Sequence, residues 1–171
     1  KLGCQQVVLV EPAEITEPAE ETSQCSVLSL FTEAAVVIDE SFSEKHDLPV
    51  LVWIHSRGLR LPWDAPIALR KKFSDPEAPE PPNQVQPLRF ELNSETDPDE
   101  VVGWGQVATA EVAVIDQAIE LLHDCLSQSG QYWAWCFMGL GGIPLGEHQR
   151  FGPVTIELYG EELHVPTLVV P

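Results

Sequence analysis

Seven prolines fall between residues 56 and 88: Pro62, Pro66, Pro76, Pro79, Pro81, Pro82 and Pro87. Proline has no amide donor and its ring clashes with the preceding helical turn, so neither a long helix nor a central strand can cross this stretch. Regular structure must come from the two flanks, and the middle must be irregular. A short helix at 65–73 is still compatible, because Asp64 can cap it and Pro66 fits its first turn. Residues 74–87 combine proline with acid and read as a linker within one domain.

After this middle comes the strongest helical pattern. Val107, Val114, Ala118, Leu121, Leu122 and Cys125 line one face, with Glu111, Gln117, Glu120 and Asp124 largely opposite. The helix is predicted over about 107–128, with Ser129-Gly130 ending it. Asp97-Pro98-Asp99-Glu100 is a separate helix start, and Gly103 and Gly105 are expected to interrupt it. Residues 131–138 alternate: Trp133, Trp135 and Phe137 point one way and Tyr132, Ala134, Cys136 and Met138 the other. All are apolar, so both faces of this strand are expected to be buried.

Strands are also predicted at 5–10, 34–40, 48–55, 88–92, 153–159 and 162–165, before a last apolar stretch at 167–170. Residues 26–31 stay open, since Val27, Phe31, Ala34 and Ile38 keep helical spacing while the β-branched run after Ala35 favours a strand. The expected fold is α+β: one domain over 1–171, a mostly antiparallel sheet, and one long helix packed on it. Residues 11–24 repeat Glu-Pro-Ala-Glu at 11–14 and 17–20, and read as an exposed acidic loop.

Charge narrows the function classes. The chain holds 27 Asp and Glu against 9 Lys and Arg, a net charge of −18, in 171 residues of which 44% are apolar. That much apolar mass supports a core, unlike a disordered acidic tail. The negative field disfavours direct nucleic-acid binding and anionic membrane surfaces, and no run of about 18 apolar residues would span a bilayer. No leader pattern is visible, and Cys4, Cys25, Cys125 and Cys136 form no CxxC pair, so a cytoplasmic protein with reduced thiols is expected. Cys125 and Cys136 are expected to be small buried hydrophobes, and Cys4 and Cys25 to pair only if the protein is exported.

Within this acidic chain one segment reverses sign. Arg57, Arg60, Arg70, Lys71 and Lys72 face Asp64 alone, so residues 57–72 carry +4 and the remainder −22. Trp63 lies among them, and Arg and Trp are enriched at the energetic centres of interfaces. A contact loop and an internal partner for the protein's own acids are both open readings. The mirror segment, 75–100, carries Glu77, Glu80, Asp97 and Asp99 among its acids, a surface suited to a basic partner.

No metal-ligand spacing and no nucleophile motif occurs, so no catalytic residue, metal or cofactor is assigned. The preferred expectation is a non-enzymatic acidic protein docking on another macromolecule, of the inhibitor, immunity-like or assembly-factor kind. Its contact residues would be Arg57, Arg60, Trp63, Arg70, Lys71, Lys72, Glu77, Glu80, Asp97 and Asp99, and its partner a protein, for which a basic surface is complementary. A small enzyme is the alternative, taking an anionic substrate between the Arg57–Trp63 loop and the Gly-rich turn at 139–146, with His55 or His148 as base. A structural subunit of a larger complex is the third.

Overall fold

The computed structural model describes residues 14–43, 51–87, 91–152 and 159–170. The fold is α+β. Among the described residues, four α-helices, α1 (Ser26–Ser43), α2 (Ile67–Lys72), α3 (Pro98–Gln128) and α4 (Gly160–Leu163), accompany a two-stranded antiparallel sheet of β1 (Trp135–Met138) and β2 (Thr167–Val170).

Helix α3 is the spine. Asp97 caps it by accepting from the Asp99 amide at 3.0 Å, Pro98 takes its first position, and the chain stays helical for 31 residues. The expected break at Gly103 and Gly105 does not occur. Both glycines sit inside the helix, where they cost helix propensity, and packing of the flanking Trp104, Gln106, Val107 and Ala108 outweighs that cost. The buried positions 104, 107, 108, 111, 114, 118, 122 and 126 recur at helical spacing and cross three apolar clusters in turn. The first joins Trp104, Val107 and Ala108 to Trp63 and Phe151. Its three large rings form a triangle with centroids 5.9–6.1 Å apart. The second sets Ala110 and Val114 against Cys25, Val27 and Ala65. The third sets Leu122 and Leu126 against Ile38, with Trp133 and Trp135 at its edge.

Helix α1 lies along α3. The strand expected over 34–40 is overturned: Val27, Leu30, Ala34 and Ile38 are buried at helical spacing while Val36 is exposed. The local β preference of the run after Ala35 yields to a helical stripe that α3 can cover. The strand expected over 48–55 is overturned over its described part. Residues 51–57 are irregular, and Leu51 and Trp53 are 65% and 61% exposed.

The long helix packs on helix α1 first, and its C-terminal half meets the sheet. Strand β1 pairs with β2, Trp135 opposite Val170 and Met138 opposite Thr167. Only one face of β1 is sheltered: Trp135 and Phe137 are half-buried, whereas Cys136 and Met138 are exposed. The expectation of two buried faces is therefore corrected, because no second layer covers this hairpin among the described residues. Residues 160–163 are helical rather than extended, and Glu91 makes an isolated bridge to Arg150. The predicted strand at 5–10, and the parts of those at 48–55, 88–92 and 153–159 that cover 48–50, 88–90 and 153–158, lie outside the described residues.

The proline-rich middle is irregular, as expected, but closely packed. Pro81, Val85 and Pro87 are buried, and the chain around Pro82 presses on the first turns of α3. A Cβ added to Gly103 would stand 2.9 Å from Pro82 Cδ, whereas one added to Gly105 would meet nothing within 4 Å. These two helical glycines predict opposite outcomes. Gly105→Ala should raise unfolding stability by about 0.5–1 kcal/mol through helix propensity. Gly103→Ala should lower it, because a proline ring cannot move aside cheaply. Urea unfolding of the two variants checks this; a stabilising Gly103→Ala would contradict the close approach.

Candidate functional site

Three groups of chemically distinctive side chains stand out, and the first is internal. The segment Trp63-Asp64-Ala65-Pro66 is buried, and its polar groups are satisfied from distant parts of the chain. Trp63 N donates to Val85 O at 2.7 Å, and Ala19 N donates to Asp64 O at 2.8 Å. Asp64 Oδ2 accepts from the amide of Ser26, the first residue of α1, at 2.7 Å. Asp64 thus caps α1 across 38 residues rather than the short helix that follows it, whose cap position is Pro66. Glu111 Oε1 accepts from Ala65 N at 2.5 Å.

Arg70, wholly buried, closes this cluster. Its Nε donates to Ala65 O, one Nη to the carbonyls of Pro82 and Gln84, and the other Nη to Trp63 O, at 2.7–3.0 Å. A planar fork of donors suits such a set, and the four acceptors come from both sides of the proline-rich middle. Burial pulls the guanidinium below its usual value, while Glu111 and Asp64 oppose that shift. Burial pushes the Glu111 carboxyl up to about 7, with Asp64 adding to the rise and the Ala65 amide and Arg70 resisting it. Cys25, a buried free thiol whose Sγ lies 3.7 Å from Asp64 O, is pushed up to about 12, chiefly by burial, and is chemically quiet.

Trp63 and Arg70 are thereby corrected as contact residues: both are fully buried, so no partner reaches them. The sequence signals were present. Trp63 adjoins prolines and can fill a core without a ladder, and Glu111 follows Val107 by four residues and precedes Val114 by three. That spacing puts Glu111 on the apolar stripe rather than opposite it. Cys125 and Cys136 are corrected too, since both are exposed.

The second group is the exposed remainder of the predicted contact set. Arg57 is half-buried, and Arg60 is exposed with Nη2 beside Gly141, 3.5 Å from where a Cβ there would stand. Lys71 and Lys72 are exposed, and Lys71 pairs with Glu80. Glu77, Glu80, Asp97 and Asp99 are all exposed. The packing of residues 80–82 on Gly103 brings the acidic linker beside the first turns of α3, which carry Asp99 and Glu100. The backbone of Glu80 and the ring of Pro82 therefore lie close to Gly103, one turn beyond Asp99 and Glu100 on α3. Of the histidines proposed as bases, His55 is exposed and His148 stacks on Tyr159 at 3.9 Å.

The third group was not anticipated. An open cleft of about 370 Å³ lies between α3 and the hairpin, lined by Asp116, Ile119, Glu120 and His123 from the helix and by Trp135, Phe137 and Val170 from the strands. Trp135 and Phe137, two apart on β1, stack at 5.6 Å with planes 8° apart, and the His123 ring lies 6.1 Å from Trp135. No set of three His, Cys, Asp or Glu among the described residues could hold a metal ion, and no helix there is long and apolar enough to cross a membrane. No protein family matches the chain, and no curated protein matches its sequence.

Burial of Glu111 gives a pH dependence with a definite sign. Its pKa is higher folded than unfolded, so its contribution is fully present below about 4.5 and is lost as pH rises through about 7. The loss across that window is about 3 kcal/mol. Glu111→Gln keeps the acceptor for Ala65 N without the charge. The stability difference between variant and wild type, from urea unfolding at pH 4 to 8, should grow in the variant's favour as pH rises; parallel curves would contradict it.

Proposed function

We propose that this protein is a non-enzymatic acidic binding protein that docks on a basic protein partner, in the manner of an inhibitor or assembly factor. The observation that carries this reading is the packing of the acidic linker, at Glu80–Pro82, beside the first turns of α3. Glu77 and Glu80 belong to a segment held against the first turns of α3, where Asp97, Asp99 and Glu100 are exposed. A concentrated anionic face on a body of net charge −18 speeds encounter with a cationic surface and rejects anionic ones. Arg60 and Lys72 are exposed charges of opposite sign, which would help to fix orientation in the complex. The cytoplasm is the proposed compartment, in line with an exposed free thiol at Cys125 and another at Cys136.

One contact favours a second reading, a small enzyme for an anionic substrate: Arg60 reaches the Gly-rich turn beside Gly141, as that proposal requires.

Affinity capture from the native cell at low and high salt tests the docking reading. Wild type should retain a basic protein that about 0.5 M salt releases, since screening shortens the reach of exposed charges to a few ångströms. Glutamine at Glu77 and Glu80 with asparagine at Asp97 and Asp99, which removes the charges and keeps the Asp97 cap, should weaken capture about ten-fold or more with the fold intact by circular dichroism. Salt-insensitive capture that survives these substitutions would contradict it.

A further inference from the structure

The cleft between α3 and the hairpin combines two features that no single structural demand brings together. Asp116, Ile119, Glu120 and His123 occupy positions i, i+3, i+4 and i+7 of α3, so one helix face presents two exposed carboxylates to the opening. Across from them, Trp135 and Phe137 project from the same face of β1 as a parallel aromatic pair. They stay half-buried, so ring surface remains open to a ligand. Among the described residues, the lining holds no lysine or arginine. Aromatic faces carry negative potential, and carboxylates beside them add full charge, so the cleft is built for a cation with an apolar stem.

We propose that this cleft receives an arginine side chain of the basic partner, a reading that rests on the docking function above. The guanidinium is planar and weakly hydrated, so it can lie on an aromatic face while its edge donates to carboxylates. Trp135 supplies the broader face, with the His123 ring inclined at 32° beside it. Asp116 and Glu120 supply the acceptors, and Ile119 and Val170 shelter the methylene stem. A volume of about 370 Å³ is at the lower end for a binding site and suits one long side chain. The acidic surface around the first turns of α3 would then attract the partner, and the cleft would select one residue of it.

The test uses a short peptide, acetyl-Gly-Gly-Arg-Gly-Gly-amide, and its citrulline counterpart, which keeps the shape and loses the charge. Each is titrated into the full-length protein and followed by the Trp135 indole resonance and by calorimetry. The arginine peptide should shift that resonance saturably and the citrulline peptide should not. Asp116→Asn with Glu120→Gln, both exposed and tolerant of change, should weaken binding about ten-fold or more, the cost of losing charge-assisted hydrogen bonds. The amide substitutions at 77, 80, 97 and 99 should leave the short peptide's signal at Trp135 in place. Equal response to arginine and citrulline, or binding indifferent to the Asp116 and Glu120 changes, overturns the proposal. Because the peptide is too short to report on docking, its failure would leave the salt-dependent capture to stand or fall separately.

Discussion

The rest of the molecule depends on one buried cation. Arg70 sits where a charge is costly, and the chain meets that cost by turning four carbonyl groups toward it. Those carbonyls belong to Trp63, Ala65, Pro82 and Gln84, residues too close to prolines to find partners in a ladder. A helix or sheet satisfies its own backbone; this segment cannot, and a side chain does it instead. Once the loop is held, its outward groups become available to the helices. The Asp64 carboxylate reaches the start of α1, the Ala65 amide reaches Glu111 in the middle of α3, and Trp63 enters the aromatic triangle. The α1–α3 pair and the irregular middle are therefore one construction.

The cluster holds two acids beside one cation, and burial pushes one of them, Glu111, toward its protonated form. Two carboxylates in a buried site raise each other's cost, and burial already favours the protonated form of Glu111. The aspartate bonded to the amide at the start of α1 sits where helix polarity welcomes negative charge. The division of roles follows from position.

How much of this was legible beforehand depended on whether local pattern and tertiary packing agreed. Around Val107–Leu126 they agreed, and the helix and its stripe were readable, as was the Asp97 cap. At 34–40 they disagreed: the β-branched residues spoke for a strand, and only the apolar neighbour supplied by α3 decided for helix. Trp63 and Arg70 looked like surface groups because composition marks them as interface types. Nothing in a linear reading shows that four carbonyls will converge on a guanidinium. The aromatic cleft has no linear signature for the same reason, since Asp116 and Glu120 meet Trp135 and Phe137 only where the hairpin folds back on α3. The acidic segments, by contrast, are visible from charge alone, and the structure adds only the packing of Glu80–Pro82 at Gly103.

The acidic residues proposed for docking and the aromatic, acid-rimmed cleft proposed for an arginine lie at opposite ends of α3. Both are borne by the same rigid helix, so a partner reading both would meet a fixed spacing. Amide hydrogen exchange in Arg70→Lys, which keeps the charge but not the fork of donors, tests the central claim most directly. Loss of the clamp should speed exchange at Trp63, Ala65 and Ser26 together, by roughly ten-fold or more, while the β1 amides keep wild-type protection. Acceleration confined to Arg70 and its chain neighbours, with Ser26 and Ala65 as protected as before, would contradict it.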